Sequence, residues 1–251
     1  MKEDKRLADD AIYLNEDRFG EPKEMFKFIL SLLRSRLPGG VKTFLDVGCA
    51  TGEFIHFMRG ALPNIDCTGV DISAQMITQA KKVQPSVEFI TGDISSGVSV
   101  VEGKYDLVCC IGVLQIFDDV RVPLQKLLDR LRPGGCLCIA GSFNNHNVDV
   151  LMRYREGGKP DNIWETGWNL FSKQTFERYL VESRKNIDWK WHDFEMPFAL
   201  PERADPMRSW TLPTEQAEHQ LINGAAQLLF TKVLFIQDTQ SAPSSGGPDK
   251  N

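Results

Sequence analysis

The stretch Thr43-Phe-Leu-Asp-Val-Gly-Cys-Ala-Thr-Gly-Glu53 decides the fold of this chain. A short apolar run containing Asp46 leads directly into a segment with two glycines, Gly48 and Gly52. This pattern is typical of a buried strand that turns sharply at its carboxyl end, where glycine lets the backbone approach a ligand closely. Ligands of open α/β sheets bind at that edge. The stretch therefore predicts the first strand of a sheet, followed by a binding loop.

Strand-like and helix-like patterns alternate after this loop. We predict strands at residues 66–71, 87–91, 106–111 and 136–140, and helices at residues 53–62, 73–83 and 122–131. An amphipathic helix over residues 25–37 precedes the first strand and ends at Pro38-Gly39-Gly40. Strands separated by helices imply right-handed βαβ units, and hence a parallel sheet.

The glycine spacing excludes two common nucleotide sites. A dinucleotide fingerprint requires G-x-G-x-x-G, whereas the loop from Gly48 reads Gly-Cys-Ala-Thr-Gly-Glu and lacks the second and third glycines. A phosphate-binding P-loop fails as well, because no Gly-Lys-Ser/Thr follows. We therefore expect poor binding of NAD and ATP.

Two further acids end strands in the predicted sheet. Asp71 closes the second strand, where a carboxylate accepts hydrogen bonds from both hydroxyls of a ribose. Asp93 follows the third strand, where an acid accepts from an exocyclic amine such as that of adenine. The neighbouring Ile72 and Ile94 are expected to sandwich the flat ring. These positions predict an adenosine-containing ligand.

In combination, these segments resemble the class I S-adenosylmethionine-dependent methyltransferase family over about residues 40 to 141. Asp46-Val-Gly48-Cys-Ala-Thr-Gly52 resembles the family's D-x-G-x-x-x-G loop, and Asp71 and Asp93-Ile94 resemble its ribose acid and adenine-binding pair. The run 105–115 resembles the fourth strand and the turn after it. Leu131-Arg-Pro-Gly-Gly135 resembles the turn that precedes strand five.

The resemblance implies a Rossmann-like, seven-stranded, mostly parallel sheet with helices on both faces and an antiparallel last strand, expected at residues 228–237. It implies S-adenosylmethionine as cofactor, with Gly48 and Cys49 facing its methionine part. Ile111 and Gly112 would supply backbone near the cofactor amine. Gln115 stands where many relatives have histidine, which leaves the polar chemistry at the methyl-transfer end open.

We divide the chain into three parts. Residues 1–40 are predicted to form an N-terminal helical lid, with Tyr13 as a candidate cofactor contact. Residues 41–238 form the methyltransferase domain, with substrate-site insertions near 142–171 and 196–226, a helix at 172–183 and a strand at 187–195. Residues 239–251 are rich in Ser, Gly and Pro and are predicted to be disordered.

Charge and composition favour a small-molecule acceptor. The net charge is −5, and no basic domain supplies attraction to a polyanion. We expect a cytoplasmic protein, monomeric or homodimeric, with no membrane partner and no metal, whose six cysteines are reduced. A methyltransferase acting on tRNA or protein, and a non-catalytic cofactor-binding protein, remain the alternatives.

The acceptor atom is expected to be oxygen, with nitrogen as the alternative, and methyl transfer is expected to proceed by in-line displacement. His146 is the candidate catalytic base, because an oxygen acceptor needs its proton removed. His192, Asp149 and Glu165 are further candidates. The irregular segments also contain tryptophans that either wall the acceptor pocket or anchor a small satellite core: Trp164, Trp168 and Trp210.

Overall fold

A computed structural model describes residues 19–36, 40–96, 101–155, 164–166, 168–183, 187–204 and 208–224. Several predicted features lie outside these residues. They are Tyr13 with most of the N-terminal lid, the expected last strand at 228–237, and the tail at 239–251.

The elements follow one another in the order expected of βαβ units. The helices are α1 (Glu24–Arg36), α2 (Glu53–Ala61), α3 (Ala74–Val83), α4 (Arg121–Leu128) and α5 (Lys173–Ser183), with a 3-10 turn at Leu114–Ile116. The main strands are β1 (Thr43–Val47), β2 (Asp66–Asp71), β3 (Glu88–Thr91), β4 (Tyr105–Ile111) and β5 (Leu131–Ala140). Short strands follow at β6 (Phe143–Asn144), β7 (Arg153–Tyr154), β8 (Glu165–Thr166), β9 (Phe171–Ser172), β10 (Ser209–Leu212) and β11 (Gln220–Asn223).

The main sheet has five strands in the order β3-β2-β1-β4-β5, and every pairing within it is parallel. The strand order reverses between β1 and β4, which places a topological switch point at the carboxyl ends of those two strands. The Rossmann-like parallel architecture is therefore confirmed. The described residues contribute five strands to this sheet, so the seventh, antiparallel strand stays a prediction.

Alternate side chains of the central strands enter two different cores, as a sheet covered on both faces requires. Phe44 on β1 and Cys109 on β4 pack with Phe26 of α1 and Phe54 of α2. The strand residues next to them, Leu45, Val108 and Cys110, point the other way into a second core. Leu124 and Leu127 of α4 and Phe176 of α5 complete that core. Because Asp46 shares its strand face with Phe44, its carboxylate lies on the α1 and α2 side.

The turn expected before strand five is instead part of that strand. α4 ends at Leu128, and β5 begins at Leu131 and continues through Pro133 and both glycines. The pairing with β4 shifts register between Tyr105 and Leu107, which accommodates the Pro-Gly-Gly residues as an irregularity within the strand.

The strand predicted at residues 187–195 is wrong. Among the described residues, the segment makes no strand pairing beyond an isolated bridge between Glu195 and Gln220. Trp191 contacts α5 instead: its ring packs against Phe176, and its Nε1 donates to Oε1 of Glu177 at 2.8 Å. The expectation of an irregular 196–226 segment is also wrong in part, because β10 and β11 pair there as an antiparallel hairpin.

Candidate active site

A cavity lies at the switch point, where the sequence placed the ligand. All predicted cofactor-contacting residues within the described part of the chain line it, except Gly52. They are Asp46, Gly48, Cys49, Asp71, Ile72, Asp93, Ile94, Ile111 and Gly112. The fold thus brings segments from four strand ends into one site.

The start of the binding loop requires glycine at position 48 for two reasons, its backbone conformation and the space around it. Its φ of 79° lies in the left-handed region that favours glycine, and a Cβ at this position would lie 2.1 Å from Cγ2 of Val113. The amides of Gly48 and Cys49 both donate to the carbonyl of Val70, at 2.7 and 3.0 Å. The loop is therefore fastened to β2 and has no room for a larger residue.

Gly52 has a structural place behind the loop rather than in the cavity wall. Its φ is 88°, and its carbonyl accepts a hydrogen bond from Nε2 of Gln84 at 2.8 Å. A Cβ there would lie 2.9 Å from Cζ of Phe89. Gly52 therefore lets the loop pack closely on β3 and on the end of α3.

Ala50 carries local strain at the tip of the loop. Its φ of 47° makes it the only non-glycine residue with positive φ in the part of the chain that the structure describes. For an L-residue this conformation costs about 1–2 kcal/mol. The Ala50 amide donates to Oδ2 of Asp71 at 2.9 Å, a bond that helps hold this conformation.

Asp71 is fixed in orientation by two backbone donors. Besides the bond from Ala50, its Oδ1 accepts from the amide of Ser73 at 2.9 Å. The carboxylate also lines the cavity, and carboxylate oxygens accept hydrogen bonds from hydroxyl groups. The fixed carboxylate of Asp71 suits a ligand with two neighbouring hydroxyls, such as a ribose.

Asp93, Ile72 and Ile94 form the next part of the cavity wall. Oδ1 of Asp93 accepts from both the amide and the hydroxyl of Ser95, at 2.8 Å each. Ile72 is 38% exposed although it is a large apolar side chain. A flat apolar ring would cover that surface, which agrees with the predicted adenine position.

The cavity carries an excess of negative charge. Asp46 and Glu53 are buried, at 3% and 4% exposed. Burial first, and then the nearby carboxylates of Asp71 and Glu53, raise the pKa of Asp46 to about 8 against the opposing charge of Lys23. Lys23 is the only basic residue among the described lining residues. Such a site suits a ligand with cationic groups. S-adenosylmethionine has two of these, its sulfonium and its amine.

Trp168 brings the insertion after β5 into the cavity wall, beside Ile116 and Phe117 from the turn after β4. The Trp168 ring stacks on Tyr154 with 6.3 Å between ring centroids. The same insertion contributes Asn169, whose side chain is completely buried.

Asn169 fastens the insertion to the turn after β4. Its Nδ2 donates to the carbonyl of Phe117 at 2.7 Å, its Oδ1 accepts from the amide of Met152 at 2.8 Å, and its own amide donates to the carbonyl of Gln115 at 2.8 Å. Sequence reasoning missed this residue, because a single Asn with partners about 50 residues away leaves no local pattern.

The proposed base and its alternatives lie outside the cavity wall. His146 is exposed, with its amide bonded to Oδ1 of Asn144 at 3.0 Å, and His192 is exposed as well. Asp149 accepts from the amide of Ser172 and the hydroxyl of Thr175 at the start of α5, at 2.6 and 2.8 Å. Oε2 of Glu165 accepts from the hydroxyl of Tyr154 at 3.0 Å.

The other singled-out side chains also lie away from the cavity. Trp164 is 55% exposed, with the Arg155 guanidinium 4.8 Å from its ring centroid, and Trp210 is buried in the β10–β11 hairpin. Gln115 is buried beside Gly141, and its Oε1 accepts no hydrogen bond from a described residue. Trp168 is thus the one of the three predicted tryptophans that lines the site.

No cluster of three or more His, Cys, Asp or Glu side chains suited to a metal occurs among residues with described positions. None of the six described cysteines forms a disulfide, and burial raises the pKa of the Cys67 thiol to about 12, which keeps it protonated at neutral pH.

Within the described ranges, no helix combines the length and apolar character of a bilayer span.

Comparison with known proteins identifies the family of this chain. A family model described as a methyltransferase domain matches residues 45–137, which hold β1 through most of β5. The chain is 33% identical over 220 residues to a trans-aconitate 2-methyltransferase of Rhodopseudomonas palustris (strain BisA53), covering 76% of this chain and 85% of that protein. The chain therefore belongs to the class I S-adenosylmethionine-dependent methyltransferase family.

Other curated relatives are matched over a smaller part of their length. The chain is 33% identical over 182 residues to a malonyl-[acyl-carrier protein] O-methyltransferase of Priestia megaterium (strain DSM 319 / IMG 1521), covering 69% of this chain and 62% of that protein. For the enzyme of the same name from Enterobacter lignolyticus (strain SCF1), the match covers 59% of the relative. The chain thus spans less than two thirds of the length of these relatives.

Solved structures share the fold at low sequence identity. The sugar N-methyltransferase KedS8 from Streptoalloteichus superposes with a TM-score of 0.53 at 17% identity, over 71% of this chain and 84% of that one. A S-adenosylmethionine-dependent methyltransferase from Clostridium acetobutylicum superposes with a TM-score of 0.50 at 17% identity, over 70% and 84%. These likenesses concern the fold alone.

Proposed function

We propose that this protein binds S-adenosylmethionine in the switch-point cavity and transfers its methyl group to a carboxylate oxygen of a small acid or acyl thioester. The observation that carries the cofactor part is the convergence of Asp71, Asp93 and the Gly48 loop in one negatively charged cavity. In this arrangement Asp71 accepts from the ribose hydroxyls, Asp93 from the adenine amine, and the Gly48 loop runs beside the methionine part.

A carboxylate acceptor is consistent with the polar groups around the cavity. A carboxylic acid has a pKa of about 4, so its oxygen is already an anionic nucleophile at neutral pH and needs no base. The described lining residues include no histidine, and His146 lies on the surface. The relatives named for malonyl-[acyl-carrier protein] and trans-aconitate act on molecules that carry free carboxyl groups. His146 as a base stays a prediction that applies to a hydroxyl acceptor.

The protein's contribution to the reaction is orientation and exclusion of water. When bound, the sulfonium supplies an already activated methyl group. The fixed carboxylate of Asp71 and the rigid loop at Gly48 hold one partner, and the wall of Trp168 and Phe117 shields the face where the acceptor enters. Holding two reactants in line contributes up to about 7–11 kcal/mol in the best intramolecular cases.

We further propose that the segment before Phe19, including Tyr13, closes over the cavity. Phe19 contacts the ring of His56 on α2, with 5.3 Å between centroids, so the chain arrives beside a helix that borders the site. Hydrogen exchange over residues 7–20 should slow when S-adenosylhomocysteine is added. Unchanged exchange would refute closure.

Calorimetry with the purified protein tests the cofactor assignment. S-adenosylmethionine and S-adenosylhomocysteine should bind, whereas NAD and ATP should not bind at micromolar concentration. Micromolar affinity for NAD, together with no affinity for S-adenosylhomocysteine, would overturn the proposal. Acceptors are then distinguished with a panel of dicarboxylates, tricarboxylates, malonyl thioesters, amines, tRNA and protein.

A further inference from the structure

Glu53 is a buried acid in the wall of the cavity, and one of its carboxylate oxygens has no hydrogen-bond donor among the described residues. It is the first residue of α2, and only 4% of its surface is exposed. Its Oε1 accepts no hydrogen bond from any residue that the structure describes. A buried carboxylate oxygen without a donor is strongly unfavourable. A ligand that donates a hydrogen bond here removes that cost, so the geometry indicates a place for a cationic donor.

Lys23 faces the same part of the cavity. It immediately precedes α1, and its ammonium lies 5.4 Å from the ring centroid of Phe26. Its charge is close enough to Asp46 to oppose the upward shift of the Asp46 pKa, just as Glu53 is close enough to add to it. A basic side chain and an acid whose Oε1 has no donor among the described residues therefore both line the cavity near Asp46.

We propose that Lys23 and Glu53 form a receptor for the α-amino-acid end of the cofactor. Lys23 pairs with the α-carboxylate, and Oε1 of Glu53 accepts a hydrogen bond from the α-ammonium group. The inference rests on the proposed function, because it assumes that the cofactor occupies this cavity. It assigns roles to two residues that lie outside the predicted adenosine-binding segments.

The placement of these residues separates the amino-acid end from the adenosine end. Ile72 and Asp93 line the cavity after β2 and β3, on one side of β1. Lys23 immediately precedes α1 and Glu53 begins α2, and these helices pack on one face of the sheet around Phe26 and Phe54. A ligand with its adenosine at β2 and β3 passes the β1 loop and extends its remaining polar groups toward these helices.

The combination of charges favours a zwitterion over the acceptor. A carboxylate acceptor has only negative groups, and the Glu53 carboxylate would repel these. An α-amino acid presents an ammonium and a carboxylate together, so both Glu53 and Lys23 gain an opposite charge. Charge-assisted hydrogen bonds of this kind are the strong ones.

The test compares ligands that differ only in the amino-acid part. Calorimetry measures binding of S-adenosylhomocysteine and of 5′-methylthioadenosine, which lacks the amino acid, to the parent protein and to Glu53→Gln and Lys23→Met. Each variant should weaken binding of S-adenosylhomocysteine about tenfold or more. Each should leave the affinity for 5′-methylthioadenosine within about twofold, because that ligand makes neither contact.

A third ligand separates the two roles. Decarboxylated S-adenosylhomocysteine keeps the ammonium and lacks the carboxylate. Glu53→Gln should weaken its binding, and Lys23→Met should leave it unchanged. Glu24→Gln and Lys27→Met are the matched controls, since both residues lie on α1 and pair with each other at the surface. Neither control should alter binding of any of the three ligands.

The outcomes are distinct. Undiminished binding of S-adenosylhomocysteine to both variants overturns the receptor. Equal losses for S-adenosylhomocysteine and 5′-methylthioadenosine also overturn it, because they would mean that the residues only maintain the shape of the cavity. Failure of the parent protein to bind either ligand would instead refute the proposed function on which the receptor depends.

Discussion

The backbone amide of Ala50 donates to Oδ2 of Asp71 across 2.9 Å, which joins the tip of the β1 loop to the acid at the end of β2. The bond connects the one strained non-glycine residue of the described chain to the side chain assigned to the ribose. A single carboxylate therefore both holds the loop and faces the cavity. Loop geometry and cofactor binding are expected to change together when Asp71 is replaced.

Replacing Asp71 by Ala should weaken S-adenosylhomocysteine binding strongly. The variant loses the ribose acceptor and the anchor of Ala50, and loss of a charged hydrogen-bond partner costs roughly 1.5–3 kcal/mol. Calorimetry should show a loss of about tenfold or more. Asp66→Ala, at the exposed start of the same strand, is the control and should bind as the parent does. Equal affinity of Asp71→Ala and the parent would exclude Asp71 from the site.

Replacing Ala50 by Gly should stabilise the protein. The left-handed conformation at φ 47° costs an alanine about 1–2 kcal/mol, and glycine avoids most of that cost while losing somewhat more entropy on folding. We expect a net gain of roughly 0.5–1 kcal/mol in the free energy of unfolding, measured by urea denaturation.

Ala80→Gly is the control, and it should lower the free energy of unfolding. Ala80 is buried within α3, where glycine costs about 1 kcal/mol relative to alanine. If Ala50→Gly destabilised the protein as Ala80→Gly does, the strain assigned to the loop would be absent.

Replacing Asp46 by Asn should change how stability depends on pH. The pKa of Asp46 is raised from an ordinary value of 3.8 to about 8, mainly by burial. Between these two values the folded state binds more protons than the unfolded state, so this group's contribution to stability is full below the lower value and declines as pH rises toward 8.

Urea denaturation from pH 5 to pH 8.5 measures this effect. Asp46→Asn should remove that part of the decline, so the variant gains on the parent as pH rises. Asp66→Asn, an exposed acid on β2, should retain the slope of the parent. Parallel curves for Asp46→Asn and the parent would show that Asp46 ionises normally in the fold.

Replacing Asn169 by Ala should destabilise the protein and loosen the part of the cavity wall that contains Trp168. The Phe117 carbonyl and the Met152 amide each lose a buried partner, and an unsatisfied buried group costs about 1–3 kcal/mol. We expect a loss of roughly 2–4 kcal/mol in urea denaturation and a shift in tryptophan emission from Trp168.

Asn144 supplies the control for that prediction. Its Nδ2 donates to the Val148 carbonyl and its Oδ1 accepts from the His146 amide, and both bonds are exposed to solvent, so Asn144→Ala should cost less than about 1 kcal/mol. Similar losses in the two variants would mean that burial of the Asn169 amide has no special energetic role.

The central fold was predictable because its signals are local. The β1 and β2 strands combine apolar runs with a terminal acid, and Ser73 caps α3 by accepting from the Met76 amide at 3.3 Å. Strand positions 43–47, 66–71 and 105–111 follow directly from such patterns. The acids at the strand ends then meet at one edge, because parallel strands bring their carboxyl ends together.

The remaining features depend on partners far away in sequence. The sequence predicts a turn at Pro133 and the two glycines after it, but these residues belong to β5 because that strand pairs with β4. The role of Gly52 depends on Gln84 and Phe89, and that of Asn169 on a carbonyl 52 residues earlier. In the sequence, Glu53 looks like any acid in the first turn of a helix. Only its burial near Asp46 in the folded structure distinguishes it from such an acid.

The most direct test of the account is the identity of the methylated product. The protein is incubated with S-adenosylmethionine carrying a labelled methyl group and with a panel of dicarboxylates, tricarboxylates and malonyl thioesters, and the products are analysed by mass spectrometry before and after mild alkaline hydrolysis. The account predicts a labelled methyl ester that alkali cleaves, with turnover reduced in Asp71→Ala. Label that resists alkali and resides on an amine, a tRNA or a protein, with no ester formed from any acid, would contradict it.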